Sequence, residues 1–106
     1  MKSAALCPML ERTMPLWTAI ADYRGGTYIS QVRAANVGQA IICWAQAFPR
    51  MKGSYVGAKT KTKFLAAVRD PQEKPTRIQR TQDVWYWSPL SIRPEIVVHL
   101  VKTAPK

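Results

Sequence analysis

Two runs of alternating aromatic, aliphatic and β-branched residues, Leu16 to Tyr23 and Thr27 to Ala34, flank the short link Arg24-Gly25-Gly26, and this pairing constrains the fold more than any other feature. In the first run Trp17, Ala19, Ala21 and Tyr23 share one face. In the second, Tyr28, Ser30, Val32 and Ala34 alternate with Thr27, Ile29, Gln31 and Arg33. Strands of that length joined by a short glycine-bearing link read as a β-hairpin. A phosphate-cradling glycine loop leads directly into a helix, so that the helix N-terminus faces the anion. Here a strand follows, so Gly25-Gly26 is read as supplying the positive φ of a primed turn, with Arg24 solvated.

The next segment changes period. Asn36 stands in an N-cap position with Gln39 three residues later, and Val37, Ala40, Ile41, Trp44, Ala45 and Phe48 recur at helical spacing up to Pro49. That pattern predicts an amphipathic helix of about three turns with Trp44 as its largest core anchor. "AKTKTKFLAAVRD" predicts a second, shorter helix ending before Pro71, with Phe64, Leu65 and Val68 turned inward. "DPQEKPTRIQRTQD" lacks a period, contains two prolines and reads as a long loop. The tail predicts a second hairpin, Val84 to Ile92 and Glu95 to Thr103, turning at Arg93-Pro94, with Pro89 marking an edge strand or a bulge. "IVVHLV" is apolar on both faces, as a central strand or one covered by an oligomer partner would be.

The expected architecture is therefore α+β, ordered β-β-α-(α)-β-β, with two hairpins in one antiparallel sheet of about four strands and the helices on one face. The other sheet face is expected to be the functional or oligomeric surface and to hold some of the tryptophans. At 106 residues the chain has room for one domain. Residues 1–13 read as a flexible leader and 14–106 as the folded unit. The apolar runs fall short of the roughly 20 residues a membrane helix needs, and the start does not read as a signal peptide, so a soluble cytoplasmic protein with no membrane partner is expected.

The formal charge of +10 points to polyanions or acidic proteins as encounter partners, or simply to a solubilising surface. The segment from Arg50 to Arg80 has nine basic residues against two acidic ones and so holds +7 of that charge. Little else resembles chemistry. His99 is the sole histidine, and Cys7 and Cys43 lie in unrelated elements, with Cys43 read as a small buried hydrophobe in a reducing compartment. No metal pattern, acid/base pair or triad spacing is present, so the reading is not an enzyme and needs no cofactor.

Two function classes remain. The first is a nucleic-acid-binding module in which Lys59, Lys61, Lys63, Arg69, Arg77 and Arg80 neutralise phosphates and Trp85 or Trp87 stacks on bases, because "VWYW" puts two large rings on one face. The second is a protein-interaction module of antitoxin, immunity or anti-defence type. It would dock on an acidic surface or form a homodimer through the "IVVHLV" and "VWYW" strands.

Across about 70% of the chain, "LWTAIADYRGGTYISQVRA", the "AIICWAQ" helix and "VWYW...EIVVHLVKT" resemble a group of small bacterial proteins of uncharacterised activity. The Tyr-Arg-Gly-Gly-Thr-Tyr-Ile-Ser-Gln-Val hairpin is the specific part. This resemblance implies a cytoplasmic single-domain protein and no activity. The hairpin-then-helix order is also similar to the opening of HicB-like antitoxin domains. The chain lacks their Pro-Asp-Leu-Pro-Gly-like segment and any appended DNA-binding motif, so no residue roles carry over.

Overall fold

The computed structural model describes residues 14–48, 58–92 and 95–104. The elements are β1 (Leu16–Tyr23), β2 (Gly26–Arg33), α1 (Val37–Ala47), α2 (Ala58–Arg69), a 3-10 turn (Pro71–Glu73), β3 (Thr76–Arg77), β4 (Val84–Trp87) and β5 (Ile96–Ala104). The strands form one antiparallel sheet in the order β2-β1-β5-β4-β3, so the fold is α+β, with five strands and two helices among the described residues. The fifth strand, β3, is only two residues long and comes from the segment expected to be loop.

The hairpin forms as anticipated, but its turn is displaced by one residue. Tyr23 pairs with Gly26, leaving Arg24 (φ 51°) and Gly25 (φ 82°) as the two turn residues. Gly26 is in the strand without positive φ. A Cβ there would lie 2.8 Å from the Tyr28 hydroxyl, so a larger residue would require that ring to shift. The alternation does the rest. Trp17, Ala19, Ala21 and Tyr23 are all buried, and the Trp17 indole N–H donates to the Ala34 carbonyl at 3.0 Å.

Helix α1 begins at a reciprocal cap: the Asn36 side chain accepts from the Gln39 amide at 2.9 Å, while Gln39 Oε1 accepts from the Ala35 amide at 3.1 Å. Ala40, Ile41, Trp44, Ala45 and Phe48 are buried, so the periodicity was a sound guide to the core. Trp44 sits at its centre, with ring centroids 4.9 Å from Phe48, 5.9 Å from Phe64 and 5.9 Å from Trp87. Among the described side chains of α2 Phe64, Ala67 and Val68 are buried, and Leu65 is only half-buried. Cys43 is disulfide-bonded, which corrects the expectation of a plain buried thiol.

β5 is the middle strand of five, flanked by β1 and β4. A dimer made by strand pairing at "IVVHLV" or "VWYW" is therefore blocked, and only the outer faces of these strands remain open. Pro89 lies beyond the end of β4, which stops at Trp87, and is buried there, so it marks neither an edge strand nor a bulge. Among the described residues no helix is long and apolar enough to cross a membrane. The leader at 1–13, the helix stop at Pro49 and the turn at Arg93-Pro94 fall outside the described residues.

Candidate nucleic-acid interface

Strand register decides which aromatics are available. Trp85 pairs with Leu100 and Trp87 with Val98, and both partners point into the core, so both tryptophans face the helices. Trp87 is 1% exposed, and its indole N–H donates to the Glu73 carbonyl at 2.7 Å; Trp85 is half-buried against the core cluster. Trp17 and Trp44 are core residues too. The expectation that the open sheet face would hold tryptophans is therefore wrong, and Trp87 is not a stacking ring. Burying two indoles outweighs burying one phenol, whose hydroxyl is better left in water.

The ring that emerges is Tyr86, 42% exposed. It lies in a cross-strand row on the open face running Ile29, Ile20, His99, Tyr86, Thr76. A neighbouring polar line joins β2, β1 and β5. There Gln31 Nε2 donates to Thr18 Oγ1 at 3.1 Å, and Thr18 and Thr103 share a hydroxyl hydrogen bond. The charged side chains that the pairing puts on this face are Asp22 and Arg33.

The basic residues lie elsewhere. Lys59 lies in the first turn of α2, and at helical spacing Lys61 and Lys63 fall on opposite flanks of the buried stripe instead of forming one row. Arg69 closes the helix, its Nη1 donating to the Leu65 carbonyl at 3.3 Å, a favourable place for a cation. The chain then passes through the 3-10 turn, which Asp70 caps at the Gln72 amide and Trp87 ties to the sheet, and runs as β3 along the sheet edge.

Lys74, Arg77 and Arg80 recur every third residue along that edge, and all three are exposed. Only Thr76 and Arg77 are strand, and the chain turns over Ile78–Thr81, so Arg80 lies at the bend back toward β4. Arg80 sits at the β3–β4 turn with φ 68°, while Thr81 bonds back to the Ile78 carbonyl through both its amide and its hydroxyl. Among the described residues no ion pair to a carboxylate engages Lys61, Lys63, Arg69, Lys74, Arg77 or Arg80. Thr76 of β3 pairs with Tyr86 on the open face, whereas Arg77 pairs with Trp85 and so projects from the helix-side face of the same edge.

Of the sequence-predicted site residues, Arg77 and Arg80 come together in this strip. Lys59, Lys61, Lys63 and Arg69 belong to the neighbouring helix, and Trp85 and Trp87 belong to the inner face. Lys74 and Tyr86 were missed. The three-residue spacing of Lys74, Arg77 and Arg80 was visible, but only the pairing of β3 with β4 gathers them at one edge of the sheet. Among the described residues no cluster of His, Cys, Asp or Glu could hold a metal ion. Searches against protein-family models, curated proteins and solved structures find no match to the chain.

Proposed function

We propose that this protein binds single-stranded nucleic acid without catalysis, tracking phosphates along Lys74, Arg77 and Arg80 and stacking a base on Tyr86. The observation that carries the reading is the group of exposed cations gathered at the β3 edge, with no carboxylate partner among the described residues and one strand from an exposed ring. Cations with no carboxylate partner retain their full attraction for phosphate, and an aromatic ring on an open antiparallel face offers a stacking platform. His99, beside Tyr86 in the same row, extends that platform. Lys61 and Lys63 on α2 add to the long-range field that draws a polyanion in.

The test is fluorescence-anisotropy titration of labelled single-stranded RNA, single-stranded DNA and duplex DNA across a salt series. Tyr86→Ala is expected to weaken single-strand binding by about 5- to 100-fold, the value of one stacked base. The triple variant Lys74→Ala/Arg77→Ala/Arg80→Ala is expected to reduce the slope of log K against log salt by about 2, at about 0.7 per phosphate contact. If all three polymers bind alike and Tyr86→Ala changes nothing, the charge is a general solubilising surface. If only an acidic protein binds the strip, the protein-interaction class replaces this reading.

A further inference from the structure

The two edges of the sheet are built differently. β3 is two residues long and follows Pro75, whereas β2 is eight residues long, Gly26–Arg33, with no proline and no lysine. Among the described residues only β1 pairs with β2. The Ala34 amide donates to the Pro15 carbonyl at 3.1 Å, which sets the phase of the ladder. Gly26, Tyr28, Ser30 and Val32 therefore direct their backbone groups toward β1, and Thr27, Ile29, Gln31 and Arg33 direct theirs outward. A long edge carrying such unspent donors and acceptors is a template for another strand.

We infer that the occupant of this edge is a second copy of the chain, its β2 running antiparallel to the first about a two-fold axis at Ser30. Three observations select that partner and that register. The first is charge. Asp22 and Arg33 lie on the same sheet face at opposite ends of the hairpin, and Asp22 Oδ1 accepts from Thr27 Oγ1 at 2.7 Å. A two-fold at Ser30 sets Arg33 of each copy beside Thr27 of the other, one strand from Asp22; Arg33 Nη1 donates to the Met14 carbonyl of its own chain at 3.0 Å, so the attraction between the two charges acts across that strand without requiring a direct bond. A two-fold at Ile29 would instead bring Arg33 against the Arg24 turn, cation against cation.

The second observation is an orphan hydroxyl. Ser30 Oγ is buried with no hydrogen-bond partner. With the axis at Ser30 the two copies of this residue face each other as a non-hydrogen-bonded pair, with Cα atoms about 4.5 Å apart, and a χ1 rotation lets their hydroxyls bond. The third is the most exposed aliphatic of the strands, Ile29 at 64%. In this register Ile29 pairs with Gln31 of the other copy and lies diagonal to the other Ile29, close enough to share cover. The pairs Thr27 with Arg33 and Ile29 with Gln31 each occur twice and supply about eight backbone hydrogen bonds. The Lys74–Arg80 strip is on the far edge, so the two basic surfaces stay apart as the sheets join. This inference does not depend on the nucleic-acid reading.

The test is sedimentation equilibrium of the full chain, free of nucleic acid, over a wide concentration range. Wild type is expected to be a dimer. Gln31→Pro removes an outward N–H in each copy without touching the β1 ladder, and is expected to weaken the dimer about 30-fold or more while circular dichroism stays native. Asp22→Arg and Arg33→Asp are each expected to weaken it, and the double swap to restore it. A wild type that stays monomeric at several hundred micromolar overturns the inference, as does a dimer that Gln31→Pro leaves intact. Should Gln31→Pro fail to fold, the charge swap decides: a double variant no better than the single ones rejects this register and this interface.

Discussion

Replacing Trp87 by phenylalanine distinguishes packing from binding in the "VWYW" strand. The indole is 1% exposed, packs edge-on to Trp44 at 5.9 Å and donates to the Glu73 carbonyl at 2.7 Å. Phenylalanine cannot donate, so the change forfeits a hydrogen bond worth about 1 kcal/mol. It also leaves a cavity of about 40 Å³, which at about 24 cal/mol per Å³ costs about 1 kcal/mol more. With the lost apolar transfer the total is about 2–3 kcal/mol, a drop in Tm of about 10–20 °C for a domain of this size. Urea titration and thermal melts followed by circular dichroism read this directly. Nucleic-acid affinity, measured well below the variant's Tm, is expected to be little changed. Native stability together with lost binding would refute the reasoning, because it would mean that the ring meets ligand and not core.

Other perturbations probe the remaining links. Arg24→Asn keeps a side chain tolerant of positive φ in the turn and is expected to raise stability by about 0.5–1 kcal/mol in a urea titration, despite loss of the 5.3 Å contact of Arg24 with the Tyr23 ring. Asn36→Ala removes the acceptor for the Gln39 amide and should cost about 1 kcal/mol by the same measurement. Tyr86→Ala, which touches no buried cluster, should shift stability by less than about 0.5 kcal/mol while weakening single-strand binding.

The open face and the basic edge give the molecule two surfaces of different character. One is a nearly neutral sheet face with Ile29, Ile20, His99 and Tyr86 in a row; the other is a charged margin of β3 and α2. In the function proposed above, electrostatic attraction would act at range along the margin and stacking on contact, with Tyr86, one strand from the margin, where the two would meet.

Local periodicity determined the first hairpin and α1, because alternation and the 3.6-residue stripe are properties of a short segment and do not depend on its neighbours. The same holds for α2, whose Phe64 and Val68 were placed inward correctly, and for the concentration of positive charge between residues 50 and 80. Tertiary pairing decided the rest. In "VWYW" both parities are aromatic, so only the register with β5, where Leu100 and Val98 already face the core, could assign Trp85 and Trp87 inward and Tyr86 outward. The hairpin turn settled on Arg24-Gly25 because the whole ladder from Leu16 to Tyr23 must keep one face buried, and that cooperative demand outweighs the strain of one arginine at positive φ. β3 is too short to have a pattern of its own. It exists because β4 offers an edge and Trp87 anchors the preceding turn, and that placement gathers three scattered basic residues at one edge of the sheet.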